Sequence, residues 1–100
     1  MTVGCCSLKF FLHGNRSLKG KRRVIKSMRD RIKNKFNVAI AEVGDQDEWQ
    51  KIHLGLAAVS SDSQYVDGLM NQVVDFIDNL HLAEMTDCKI ELIKIGNRSL

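Results

Sequence analysis

Positively charged side chains concentrated in residues 16–35 are the clearest chemical signal in this chain. The segment holds ten Lys or Arg and one acid, Asp30, so it carries +9 in a chain of overall charge +3, and the other residues carry −6. On a helix, six of these cations share an arc of about 120°: Lys19, Arg22, Arg23, Lys26, Arg29 and Lys33. Guanidinium and ammonium groups on one exposed face bind phosphate oxygens, so the segment predicts a surface for RNA or another polyanion.

This clustering of cations has a cost in stability. Lys19 and Arg23 form a like-charge pair four residues apart, as do Arg22 and Lys26, and each pair costs roughly a few tenths of a kcal/mol. A helix face that is only solvated would more naturally mix Glu with Lys. The pattern therefore favours a binding face, and a solvated charged face is the alternative.

Lys21 differs from the other cations because its helical angle places it within the apolar stripe, beside Leu18 and Ile25. One interpretation is that its long side chain extends to solvent at the start of the helix. The other is that its ammonium group faces an anion held near the edge of a sheet. Lys21 therefore joins the six cations above as a nucleic-acid-binding candidate.

The other polar residues lack the spacing of a catalytic or metal site. The three cysteines, Cys5, Cys6 and Cys88, match neither a disulfide framework nor a zinc pattern, so reduced and packed thiols are expected. Residues 14–16 precede a helix and could bind an anion weakly, but the glycine-rich signature of an acylphosphatase is absent. We therefore expect no cofactor, no metal and no catalytic residue, with a small phosphate-handling enzyme as a distant alternative.

Periodic apolar residues predict the elements that position these side chains. Alternation over two residues predicts strands, and repeats at three and four residues predict helices. Ser17 can cap the first helix, and residues 61–64 match a capping box that starts the second. The order is strand, helix, strand, strand, helix, strand, with bounds near 2–13, 17–35, 36–43, 49–60, 61–80 and 86–95.

This order of elements predicts the fold class. Two right-handed crossovers and a central hairpin place both helices on one face of a four-stranded antiparallel sheet with spatial order 4-1-3-2. That arrangement is an α+β, ferredoxin-like β-α-β-β-α-β sandwich. We expect a single domain over residues 1–95, because neither half has a core of its own, and a loose tail over 96–100.

The sheet face that the helices leave open is rich in apolar residues. The candidate interface residues on this face are Val3, Phe11, Val43, Val59 and Ile93. A patch of that size is unusual on a monomer and predicts a homodimer interface or a docking surface for another protein. The central strands present few aromatic rings outward, so RNA contact is expected through phosphates on the first helix rather than through stacked bases.

Several strings resemble the YlxP-like family of small bacterial proteins of unknown function. They are Ser17-Leu18-Lys19-Gly20-Lys21-Arg22, residues 31–38, Ala41-Glu42-Val43 and Gln46-Asp47-Glu48-Trp49-Gln50. The resemblance implies a ferredoxin-like fold. It also implies a link to translation, since family members are often encoded beside translation and ribosome-maturation genes. Family members usually have a charged or polar residue between the two lysines, where this chain has Gly20.

The composition limits the protein's location and partners. The first residues do not resemble a signal peptide, and the longest apolar runs are too short to span a bilayer, so a cytoplasmic protein without membrane contact is expected. The first hypothesis is a non-enzymatic, RNA- or ribosome-associated factor that uses the basic helix. The alternative is a protein-interaction or homodimerisation module that uses the open sheet face.

Overall fold

A computed structural model describes residues 1–96 of the chain. Its elements are β1 (Thr2–Phe11), α1 (Leu18–Lys35), β2 (Ala39–Gly44), β3 (Lys51–Ser60), α2 (Ser63–Asn79) and β4 (Glu84–Lys94). The strands form one sheet in the order β2-β3-β1-β4, and all neighbouring strands are antiparallel. The predicted ferredoxin-like fold is therefore confirmed. Most of the expected loose tail, residues 97–100, lies outside the described residues.

The core lies between one face of the sheet and both helices. The even-numbered residues of β1, and those of β3 from Ile52 to Leu56, are buried there, among them Leu8, Phe10 and Leu54. Gly4 lets α2 approach closely, because a Cβ at this position would collide with Val66 of α2. Burying each large apolar side chain contributes about 1.5–3 kcal/mol, so this alternation determines which face of the sheet is covered.

Helix α1 begins where the sequence predicts. The Ser17 hydroxyl accepts a hydrogen bond from the Gly20 backbone N–H at 3.0 Å, which satisfies one of the free donors of the first turn. Ile25, Met28 and Ile32 form the buried stripe of α1. Leu18, predicted to belong to that stripe, is only half-buried because it lies at the exposed start of the helix.

Several predicted boundaries are corrected by the structure. Strand β2 starts at Ala39 rather than residue 36, because Phe36 caps α1 and packs edge-to-face against Phe76 at 5.5 Å between ring centroids. Asp62, not Ser61, caps α2, and its Oδ1 accepts hydrogen bonds from two backbone N–H groups. Strand β1 ends at Phe11, two residues earlier than predicted, and β3 begins at Lys51, two residues later than predicted.

Alternation in the last strand predicts that Cys88, Ile90 and Leu92 point inward, but β4 is less buried than this pattern indicates. A bulge opposite Lys9 and Phe10 shifts the pairing of β4 with β1. Cys88 and Leu92 lie on the helix side of the sheet, as predicted, but Cys88 is exposed and Leu92 is 37% exposed. The reason is that β4 is an edge strand, which the helices cover only in part.

All three cysteines are free thiols. Burial raises the pKa of the Cys6 thiol from 9.0 to about 12, and the neighbouring Cys88 thiol is the second cause. Cys6 therefore stays protonated at neutral pH and is a weak nucleophile. The two thiols lie close together because β1 and β4 are neighbours, as the sequence predicts.

Candidate nucleic-acid interface

The cationic face of α1 comprises Lys19, Arg22, Arg23, Lys26, Arg29 and Lys33. Five of these side chains are exposed, and Arg29, beside the buried stripe, is half-buried. Strong cation clustering near the start of a helix is unfavourable, because the helix dipole is positive there. The fold therefore keeps these charges in solvent at some cost to its own stability.

Few of these cations are neutralised by the protein. Lys26 Nζ lies 2.6 Å from Asp30 Oδ2 in an exposed pair one helical turn apart. Among residues 1–96, no other member of the cationic face forms an ion pair. Arg29 Nε is buried without a hydrogen-bond partner in the same part of the chain. Six cations and one acid leave a net charge of +5 on this surface.

Lys21 does not belong to that surface: its predicted extension to solvent is wrong, whereas its ammonium group does face an anion at a sheet edge, the Glu42 carboxylate of β2. Its side chain is 2% exposed. Its Nζ donates hydrogen bonds to the carbonyl oxygens of Asp45, at 2.6 Å, and Glu48, at 2.8 Å. Glu42 Oε2 lies 3.0 Å from the same nitrogen, a charge contact whose angles do not meet hydrogen-bond geometry. Lys21 thus ties α1 to the β2–β3 hairpin and is not free to bind RNA.

Three successive carbonyl groups in the connection between β2 and β3 are fixed by hydrogen bonds. The carbonyl of Glu48 accepts from Lys21, and that of Gln50 accepts from the Leu12 backbone N–H at 2.7 Å. Between them, the Trp49 carbonyl accepts from Asn15 Nδ2 at 2.6 Å. Residues 48–50 lie outside the strands, but their backbone has a defined position. The reason is that α1, the β1–α1 loop and the residue after β1 each donate a hydrogen bond to one of these three carbonyls.

Gly20 makes room for one of these tethers. A Cβ at Gly20 would collide with Asn15 Oδ1 and come within 3.2 Å of Ser17 Oγ. Asn15 Nδ2 also donates to the Ser17 carbonyl at 2.8 Å, so the amide links the helix start to the β2–β3 connection. The glycine that weakens α1 locally therefore lets the Asn15 side chain reach Trp49.

Trp49 is the site residue that the sequence analysis missed. Its side chain is 54% exposed, although indole is strongly apolar. It lines an open cleft of about 410 Å³ together with one other aromatic residue, two cationic residues and four other polar residues. The lining residues are Phe11, Asn15, Arg16, Asp47, Glu48, Trp49, Gln50 and Lys51. The available signal was a tryptophan among polar residues next to a turn, which a strand pattern does not explain.

The open sheet face contains the other candidate residues. Val43, Val59 and Ile93 are 54%, 60% and 48% exposed, whereas Val3 and Phe11 are half-buried. Val3 pairs in register with Val59 on one side and Ile93 on the other, so these three form one apolar row across the sheet. Val43 is not part of this row. Its side chain packs against Gly55, where an added Cβ would lie only 2.9 Å from Val43 Cγ1.

Charged residues of both signs occupy the rest of the open face. Glu91, Lys89 and Asp87 alternate along β4, and Lys9 of β1 lies opposite Asp87. Near the centre, Ser7 Oγ and His53 Nε2 are 2.8 Å apart. This face therefore lacks the single sign of charge that α1 presents.

The histidines and acids do not gather into a recognisable metal site. His13 Nε2 lies 3.1 Å from Glu84 Oε1 in an exposed contact. Across residues 1–96, no group of three or more His, Cys, Asp or Glu side chains has the geometry to hold a metal ion. Within the same range, neither helix is long and apolar enough to cross a membrane.

Residues 3–90 match a family described as protein of unknown function (DUF503). The uncharacterized protein YlxP of Bacillus subtilis (strain 168) is 38% identical over 89 residues, which cover 89% of this chain and 97% of that protein.

Two solved structures share the fold at low identity. A de novo designed protein with ferredoxin fold is 13% identical, with a TM-score of 0.50 and coverage of 100% of this chain and 92% of that one. A crystal structure from Arabidopsis thaliana is 14% identical, with a TM-score of 0.50 and coverage of 98% and 99%. At such identities the likeness extends to the fold alone.

Proposed function

This chain belongs to the DUF503 family of proteins of unknown function, and for this member we propose a non-enzymatic role in which the cationic face of α1 binds RNA through its phosphates. The resemblance to YlxP-like proteins stated from the sequence is confirmed by the same matches. The proposed association with RNA or the ribosome also draws on the link to translation that this resemblance implies.

The observation that carries the proposal is the unneutralised charge on α1. The cationic face has a net charge of +5, and five of its six cations are exposed. A surface with a single sign of charge attracts polyanions and raises their association rate. Because the side chains are long and carry several donors each, they can contact successive phosphates without reading bases.

Salt dependence is the direct test of this proposal. If about five phosphates are neutralised, the logarithm of the association constant falls with the logarithm of salt concentration at a slope of roughly −4. The affinity for a dye-labelled RNA should then fall by more than about 100-fold between about 50 and 200 mM salt. Fluorescence anisotropy measures this. A slope near zero, or an absence of RNA binding at low salt, would contradict the proposal.

A second candidate function is homodimerisation through the open sheet face. The apolar row of Val3, Val59 and Ile93 supports it, because exposed contiguous apolar side chains are unfavourable in water. The alternating charges beside this row suit a second copy of the chain better than RNA, since a two-fold interface can place opposite signs together.

Substitution of Val59 tests the dimer. Val59→Asp should shift the wild-type dimer to monomer, because a carboxylate would be buried at the interface without a partner. Sedimentation velocity at several concentrations measures the change. Tyr65→Asp is the matched control, since Tyr65 is 58% exposed on α2, away from the sheet face. A wild type that is monomeric throughout would remove this candidate.

A further inference from the structure

We infer that the Trp49 cleft binds one unpaired RNA base by stacking on the indole; this inference rests on the proposed function and adds a second contact to it. An exposed indole presents a large apolar surface that a base can cover. Stacking on an aromatic ring depends little on the base sequence, because every base has a flat π-face.

The backbone around Trp49 supports stacking because it is fixed before a ligand arrives. Lys21, Asn15 and Leu12 hold the carbonyls of three consecutive residues, 48–50. An ordered platform loses little conformational entropy on binding, so more of the stacking energy contributes to affinity. An exposed tryptophan on a loose loop would not have this advantage.

The charges around the cleft favour a nucleotide over an isolated phosphate or an apolar side chain. Arg16 and Lys51 supply two cations that can contact the phosphates flanking a stacked base. Asp47 and Glu48 line the same cleft and would repel a phosphate placed inside it, whereas their carboxylates can accept hydrogen bonds from base amino groups or ribose hydroxyls.

The cleft also adjoins the cationic face along the chain. Arg16 lines the cleft, Ser17 caps α1, and Lys19 is the first member of the cationic face. An RNA strand whose phosphates follow α1 can therefore continue towards Trp49, where one base leaves the strand to stack. This geometry favours single-stranded or bulged RNA over a continuous duplex.

The test uses the fact that Trp49 is the only tryptophan in the chain. A short oligouridylate and an abasic oligoribonucleotide of the same length are titrated into the wild-type protein, each labelled with a dye at one end. The normal oligonucleotide should quench Trp49 emission with the same midpoint as its anisotropy change, and the abasic one should bind without quenching. Trp49→Ala should weaken binding of the normal oligonucleotide by roughly 5- to 150-fold.

Two further measurements separate stacking from charge and from loss of fold. Trp49→Ala should leave the salt slope unchanged, since it removes no cation, and should bind both oligonucleotides equally. Trp49→Phe retains a ring and should recover part of the affinity. RNA binding without Trp49 quenching, and with equal affinity for both oligonucleotides, would overturn this inference but leave the proposed function standing. Absence of binding by both oligonucleotides would overturn both.

Discussion

Replacement of Lys21 by methionine should lower the free energy of unfolding by about 3–5 kcal/mol. Methionine has a similar length, so the apolar packing is largely kept and the charge is what changes. The substitution removes the donor to the carbonyls of Asp45 and Glu48 and leaves Glu42 without its cation. A domain of this size has a total stability of about 5–15 kcal/mol, so the loss is a large fraction of it.

Urea unfolding followed by circular dichroism measures this effect. Lys19→Met is the matched control: it removes the same charge from the same helix two residues earlier, where the side chain is exposed. The control should change stability by less than about 0.5 kcal/mol. If Lys21→Met is as stable as the control, the three contacts of Lys21 contribute little to the stability of the fold.

The sequence predicts the fold well because the determining patterns are local. Alternation in β1 and β3 identifies Leu8 and Leu54 as core residues, and Ser17 identifies the start of α1. Such features depend on spacing of two or 3.6 residues and on capping, and both can be read along the chain. The strand order then follows from the handedness of crossover connections.

The errors occur where a neighbouring element decides the outcome. The strand pattern predicts a second strand that begins at Phe36, but this residue packs on Phe76 of α2 and caps α1 instead. Leu92 has the correct face but is exposed, since burial at an edge strand depends on how far the helices extend over it. Neither the packing of Phe36 on Phe76 nor the exposure of Leu92 can be predicted from the periodicity of its own segment.

The candidate site likewise has a part that the sequence predicts and a part that depends on contacts between distant segments. The cationic face is a single helix face, so its six cations could be listed from the sequence. The partners of Lys21 are two backbone carbonyls and the Glu42 carboxylate, all more than twenty residues away, and no local pattern indicates these contacts. Trp49 was missed for the same reason, because the groups that fix its backbone come from three other parts of the chain.

Reversal of charge on α1 should nearly abolish RNA binding. Arg22, Arg23 and Lys33 are exposed and, within residues 1–96, form no ion pair. Changing all three to Glu converts the net charge of the cationic face from +5 to −1. With three phosphate contacts replaced by repulsion, RNA affinity at low salt should fall by more than about 100-fold, as anisotropy would show.

The same triple variant should be as stable as the wild type or slightly more stable. Each new Glu lies four residues from a remaining cation, so three repulsive pairs become attractive, each with a gain of roughly a few tenths of a kcal/mol. Binding and stability would therefore change in opposite directions, which loss of folding cannot produce.

The matched control changes Lys9, Lys89 and Lys94 of the sheet to Glu, an identical change in net charge, and should retain most of the affinity. If the control loses binding while the α1 variant binds RNA as the wild type does, the RNA lies on the sheet and the cationic face of α1 is only a solvated surface.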